Sequence, residues 1–145
     1  MPVAIRGLVA GLIGSLLLAV LMLLTAGLAI APRLDTVRLL SAASADLFAT
    51  TSTRAVGWLL FFVIGAVWGL LFAWIQHRLP GQSAAVRGML FSLFLWGVMM
   101  IVFMPVAGAG WFGLDAGAAA PVITLAGHLI FGAVMGLCFK ALGRS

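Results

Sequence analysis

Acidic side chains are nearly missing from this 145-residue chain, which has three aspartates, Asp35, Asp46 and Asp115, and no glutamate. Proton-coupled transport normally uses a membrane-embedded carboxylate or an equivalent relay, and all three aspartates fall outside the long apolar runs. The one cysteine, Cys138, sits inside such a run, which excludes an intramolecular disulfide and a thiolate metal cluster. Charged residues make up 8% of the chain, against about a quarter in an average soluble domain, so a soluble globular protein is excluded. There is no nucleophile-base pair, no zincin motif and no Gly-x-Ser-x-Gly elbow, and the reading is therefore non-enzymatic.

What is there is apolar: 65% of residues are hydrophobic, gathered in four runs separated by short polar stretches. The length fits one domain. Roughly 20 apolar residues cross the hydrocarbon core at about 1.5 Å of rise each, and the expected spans cover about 5–31, 55–75, 88–106 and 122–140 in a single membrane domain, 1–145. Ala29-Ile30-Ala31 has the small-x-small look of a signal cleavage site. The first run is nevertheless longer than the roughly 7 to 15 residues of a secretory core, and Pro32 follows directly, so it reads as a retained span.

The net charge of +5 comes from Lys and Arg at the run ends rather than on one face, which argues against a nucleic-acid partner. Arg6, Arg78, Arg87, Lys140 and Arg144 lie on the side that holds both termini, with no acid among them. The other side has Arg33, Arg38 and Arg54 against the three aspartates. The Lys/Arg asymmetry of the loops places both termini in the cytoplasm, as in a multi-pass protein of a bacterial inner membrane.

The first outer loop carries a short interfacial helix, expected over about 34–50. Val37, Leu40, Ser44, Leu47 and Phe48 fall on one face, with Asp35, Arg38 and Asp46 away from it and Leu39 breaking the pattern. Pro32 and Asp35 suit its start. The second outer loop holds Gly108, Gly110, Gly113 and Gly117, with Trp111 and Phe112 as interface anchors like Trp58 and Trp74 at the ends of the second span. It lacks the Lys-Ser or Lys-Thr of a phosphate-binding loop.

The second and fourth runs repeat one another. Phe61-Phe-Val-Ile-Gly-Ala-Val-Trp-Gly-Leu-Leu-Phe72 aligns without gaps with His128-Leu-Ile-Phe-Gly-Ala-Val-Met-Gly-Leu-Cys-Phe139. The first and third echo each other more weakly, through Arg6-Gly7 with Arg87-Gly88 and through Pro32 with Pro105. The repeating unit is then a hairpin of two spans, and its copies are related by an axis along the membrane normal. The expected fold is an all-α, pseudo-twofold four-helix membrane bundle of two tandem parallel-repeat hairpins. Gly7 with Gly11, Gly65 with Gly69, and Gly132 with Gly136 are Gly-x-x-x-Gly pairs, which let helix backbones approach closely in lipid. Ser15 and Ala19 continue the first stripe.

With these residues in hand, the chain resembles a bacterial family of small inner-membrane proteins known only as a domain of unknown function. The likeness rests on the Gly-rich first span, Pro32 with Asp35, Trp96, Met104-Pro105 with Gly108, Gly110 and Gly113, and the segment from His128 to Gly136. It implies a four-span fold and supplies no activity. Members carry a second His where this chain has Phe61.

His128 is the one ionisable residue well within a span, and such a residue is a functional candidate. One reading makes it a neutral imidazole bonded to a neighbouring helix, through Ser92, Thr25 or the indole N–H of Trp96 or Trp68. The others are haem or metal ligation, and contact with a pigment, a quinone or a partner subunit. His77, the only other histidine, sits at the far end of the second span, roughly 20 Å away by helical rise. His128, Gly132, Met135 and Phe139 share a face, and Trp96 and Trp68 would suit an apolar ligand as well as a core. Met99, Met100 and Met104 read as soft packing rather than a copper site. No cofactor is required by these residues.

Two functional readings follow. One is a structural or accessory subunit of a larger membrane complex, respiratory or photosynthetic complexes among them. The other is a homo-oligomeric small channel, transporter or apolar-ligand-binding membrane protein. The charge asymmetry makes its own prediction: a protease-sensitive tag placed between Gly108 and Gly117 is cleaved in intact spheroplasts, whereas a tag at the C-terminus is protected until the cells are opened.

Overall fold

The computed structural model describes residues 1–27, 35–49 and 51–144. Ala29-Ile30-Ala31, Pro32 and Arg33, on which several expectations rest, lie outside those residues, as do the last residues of the expected first span. Within them the elements are α1 (Val3–Gly27), α2 (Thr36–Phe48), α3 (Arg54–Ile75), α4 (Ala84–Val98), a π-helical turn (Met99–Phe103), the short α5 (Met104–Val106), a 3-10 segment (Trp111–Ala116) and α6 (Ala120–Ala141). Four stretches are long and apolar enough to cross a membrane: Val3–Ala26, Arg54–Ile75, Ala84–Val106 and Ala120–Ala141. The chain is an all-helical, multi-pass membrane protein.

Polar caps, rather than the first apolar residue, set where α3 and α4 begin. Thr53 Oγ1 accepts the Val56 N–H and Ser83 Oγ accepts the Val86 N–H, each satisfying one of the unpaired donors of a first helical turn. α4 therefore starts at Ala84, a full turn before the expected Gly88. Past Val98 the helix widens because Pro105 has no N–H to offer and its ring crowds the carbonyl of Ile101. The Met104 N–H reaches back to the Met99 carbonyl, five residues away, and a π turn results.

Two antiparallel seams hold the bundle, α1 against α3 and α4 against α6. A methyl group on Gly11 would strike the Gly65 carbonyl oxygen, and one on Gly69 would strike the Gly7 carbonyl. In the second seam Gly88 lies as closely on the Gly132 carbonyl, and Gly136 on that of Ala84. The glycine Cα–H groups thus point at carbonyls of the facing helix, the arrangement of weak Cα–H···O contacts. Since lipid tails are as apolar as the side chains, such close packing is what associates these helices.

The seams correct the register read between the first and third spans. Gly65 faces Ser15 and Gly11, whereas Gly132 faces Ser92 and Gly88. Gly7, Gly11 and Ser15 therefore correspond to Ala84, Gly88 and Ser92, one helical turn away from the pairing of Arg6-Gly7 with Arg87-Gly88. Val9, Leu16, Leu18 and Met22 then coincide with Val86, Leu93, Leu95 and Met99. Phe72 and Phe139, equivalent in the repeat, meet edge to face with ring centroids 5.7 Å apart, as expected of residues flanking a pseudo-twofold axis.

The symmetry is incomplete, and one residue pair accounts for it. α1 also packs on α6, where Gly14 receives the Phe131 ring. The repeat puts Phe91 where Gly14 stands, and α3 and α4 are not drawn into a matching backbone contact. Phe91 instead meets Trp68 and Phe72 at centroid distances of 6.4 and 5.6 Å, so side chains alone bridge that side of the bundle.

α2 packs against α3 on the face away from the termini, with Val37 buried and its carbonyl on Gly57. Of the expected amphipathic face, Val37 and Ser44 turn inward and Leu47 and Phe48 outward. Ser41, Ala43 and Ser44 are buried with Val37, while Leu47 and Phe48 are 65% and 72% exposed. Leu39, the exception to the pattern, packs on Met100, Met104 and Ala109. α2 follows the bundle because the close approach at Gly57 anchors it there.

Gly65→Leu and Gly132→Leu are each expected to destabilise the bundle by about 3 kcal/mol or more, beyond the usual overpacking penalty because backbone rather than side chain must move. Gly97→Ala, where an added methyl meets open space, serves as control. Thermal melting and size-exclusion profiles in mild detergent measure both; unchanged profiles for the two Leu variants would refute the seam.

Candidate functional site

The α4–α6 seam changes character along its length. Near the termini it is Ala84 and Gly88 against Gly136 and Gly132; farther on, every fourth residue of α4 is larger and polar or aromatic. Ser92 Oγ donates to the His128 backbone carbonyl. Trp96 Nε1 donates to the Pro121 carbonyl and to Thr124 Oγ1, each at 3.1 Å. Thr124 Oγ1 in turn sits 2.7 Å from the Ala120 carbonyl and 3.9 Å from Met100 Sδ. The bonds from Ser92 and Trp96 cross between helices whose backbones the glycines bring together, whereas Thr124 to Ala120 lies within α6.

His128 is half-buried, and its Nδ1 lies 2.8 Å from the Thr124 carbonyl, one turn back on its own helix. A carbonyl only accepts, so Nδ1 carries the proton, and in the neutral ring Nε2 keeps its lone pair. None of the expected partners from a neighbouring helix engages the ring. Ser92 bonds the main chain of His128, Trp96 bonds Pro121 and Thr124, and Thr25 Oγ1 bonds the Leu21 and Met22 carbonyls of its own helix. The i−4 carbonyl of an α-helix is always within reach of a ring on the same face, and this local partner prevails over the distant ones.

The residues proposed together as a contact site do not form one cluster. Met135 is fully buried among Phe72, Phe91, Phe131 and Phe139, with half-buried Trp68 against them. Trp96 belongs to a second cluster with Met100, Met104 and Ala109, which are buried, and with Met99 and Leu39. Its indole reaches the first turn of α6 and lies 6.2 Å from the Phe112 ring, at the loop end of the bundle rather than at its middle. The packing glycines Gly7, Gly11, Gly65, Gly69, Gly132 and Gly136 all lie in the two seams.

The glycine-rich loop closes over this second cluster. Gly113 is buried against Met104, and the Asp115 N–H donates to the Ala109 carbonyl at 3.1 Å. Gly108, Gly110 and Gly113 take φ of 72°, 71° and 69°, a left-handed conformation that costs glycine little. Phe112 adopts φ 57° as well, a strained choice for a bulky residue.

Two residues of the site were not singled out from sequence. Thr124 is the hub of the seam; its signal was its position four residues before His128. Arg6 was read only as a topological charge. It donates from Nη2 to the Phe139 carbonyl at 2.9 Å and lies 4.3 Å from the centroid of that ring, joining the start of α1 to the end of α6. A cation near a helix C-terminus is favoured by the helix dipole. Among the described residues no three His, Cys, Asp or Glu side chains come together as a metal-ligand group.

The hierarchy of bonds is testable. Thr124→Val removes a hub and is expected to lower stability by about 1–2 kcal/mol, whereas His128→Ala, which removes only a bond within one helix, lowers it by about 1 kcal/mol or less. Circular-dichroism melting in detergent measures both; a larger loss for His128→Ala would contradict the ordering.

No curated protein and no solved structure matches the chain. A family model does, over residues 1–145: the chain belongs to the family of unknown function DUF6789.

Proposed function

We propose that this protein is a non-enzymatic structural or accessory subunit of a larger membrane complex, seated in a bacterial inner membrane with both termini cytoplasmic. The observation that carries the reading is the broken symmetry of the bundle. Three sides of the helix square are closed by helix packing, while the α3–α4 side is bridged by side chains, Trp68 and Phe72 with Phe91 and, at the end nearer the termini, Gln76 with Arg87. Exposed Val63, Val67, Leu70, Leu90 and Phe94 continue these two helices outward. A transmembrane helix of another subunit is a natural occupant of such a side, because van der Waals packing rather than hydrophobic expulsion drives association in lipid.

The polar groups within the spans support the same reading. Ser92, Trp96 and Thr124 spend their hydrogen bonds holding α4 to α6 or within α6, and no carboxylate lies in the spans to relay protons. The surplus of Arg and Lys on the face that holds both ends of the chain supports the orientation. A second reading, a homo-oligomer that binds an apolar ligand such as a haem, quinone or pigment, draws support from His128 Nε2, which has no hydrogen-bond partner among the described residues.

Gentle solubilisation from the native membrane followed by native mass spectrometry separates the two. The accessory-subunit reading expects foreign subunits in fixed stoichiometry, lost when Phe94→Ala and Val67→Ala are combined. Recovery of a homo-oligomer alone, under conditions that keep known complexes intact, overturns it.

A further inference from the structure

On the face opposite the termini, a cavity of about 270 Å³ opens between the start of α2 and the start of α3, lined by Asp35, Arg38, Ser41, Ser52, Thr53 and Arg54. Among the described residues every lining residue is charged or carries a hydroxyl. The bulk of this protein's surface is aliphatic, and neither the seams nor the α3–α4 side uses this cluster. Its internal bonds show which groups remain available. Asp35 Oδ1 accepts the Arg38 backbone N–H and Oδ2 accepts Arg54 Nη2, both at 3.0 Å, so each carboxylate oxygen already has a partner. Ser41 and Ser52 share one hydrogen bond at 3.1 Å, which consumes a single hydroxyl proton of the two. Thr53 Oγ1 accepts the Val56 N–H and retains its own proton for donation. The Arg38 side chain is exposed and has no hydrogen-bond partner among the described residues.

The charges leave one positive unit uncompensated, two guanidinium groups against one carboxylate. The Asp35–Arg54 pair itself is surface-exposed, at 36% and 72%, and holds the second guanidinium in place more than it adds stability. Guanidinium and hydroxyl donors around one net positive charge suit a singly charged phosphodiester. Depth then selects its source. α3 begins at Arg54 and runs 22 residues to Ile75. At about 1.5 Å per residue that length matches a hydrocarbon core of about 30 Å, which puts the Arg54 end, and the cavity with it, in the headgroup layer.

We propose that this cavity holds the headgroup of an anionic phospholipid, its phosphodiester between Arg38 and Arg54 and a hydroxyl-bearing headgroup such as glycerol against Ser41, Ser52 and Thr53. A choline headgroup is disfavoured there, because its quaternary ammonium adds a positive charge to a described lining that already carries a net positive one. The inference is independent of whether the protein is an accessory subunit.

The test is lipid retention by the full chain in nanodiscs of equal parts phosphatidylglycerol and phosphatidylcholine, read by native mass spectrometry after release. The wild type is expected to keep one phosphatidylglycerol, and Arg38→Gln combined with Arg54→Gln to reduce its occupancy about tenfold, equivalent to about 1.4 kcal/mol. Arg38→Gln alone, which leaves the Asp35–Arg54 pair intact, is expected to reduce it several-fold, so the test survives if the double variant is poorly folded. Arg78→Gln, an exposed arginine on the opposite face, leaves retention unchanged. Equal retention by wild type and Arg38→Gln, or phosphatidylcholine kept as readily as phosphatidylglycerol, overturns the proposal. Displacement of the lipid by excess inorganic phosphate overturns it too, and assigns the cavity to a soluble anion.

Discussion

The fold depends on how closely glycine lets one helix backbone lie on another. In each seam a glycine stands where any side chain would collide with a carbonyl across the interface, and the side chains farther along take their partners from that spacing. Ser92 can reach the main chain of α6 because Gly88 and Gly132 have removed the gap between the helices. The indole of Trp96 reaches Pro121 and Thr124 for the same reason. Polar groups inside a bilayer are satisfied from within the protein, and here the acceptors are mostly backbone carbonyls, available because little stands in front of them. The glycines therefore set the helix positions and also determine which polar side chains the interior can carry.

The far end of the bundle follows from a different constraint. Pro105 leaves α4 with a carbonyl that has no i+4 donor, and the helix answers by widening into a π turn. Met100, within that turn, and Met104, just after it, are both fully buried, with Ala109 and the loop glycine Gly113 against them or nearby. A flexible thioether fills an irregular gap better than a branched side chain, which suits the place where regular helix packing stops. α2 contributes Leu39 to this cluster and, with Arg38 and Ser41 from the same first turns, lines the polar cavity.

Much of this was legible in the residues. The spans could be read from the apolar runs, and the repeat from Gly65, Gly69, Gly132 and Gly136, because glycines four apart leave a pattern that survives exchange of everything between them. The repeat register of α1 and α4 was not legible in the same way: Arg6-Gly7 and Arg87-Gly88 are the more conspicuous match, yet the two seams make Gly11 equivalent to Gly88 and Ser15 to Ser92. Sequence neighbours at a helix end attract attention, whereas packing follows the face. On α2 the spacing puts Val37, Ser44, Leu47 and Phe48 on one face; the structure buries the first two and leaves Leu47 and Phe48 exposed, because Val37 on Gly57 orients the helix. For His128 the local acceptor, Thr124, was present in the spacing and overlooked in favour of residues on other helices.

The Arg6 contact has a consequence for how the molecule is made. The guanidinium that starts α1 finds its acceptor at Phe139, 133 residues later. A chain threaded into the bilayer in order must therefore hold its first helix, with that arginine bonded to water and headgroups at the membrane surface, until α6 has been inserted. The α1–α3 seam can form as soon as its two helices are in place, but the α1–α6 side closes only after α6 has been inserted. The last turn of α6 is the one that ties down the start of α1.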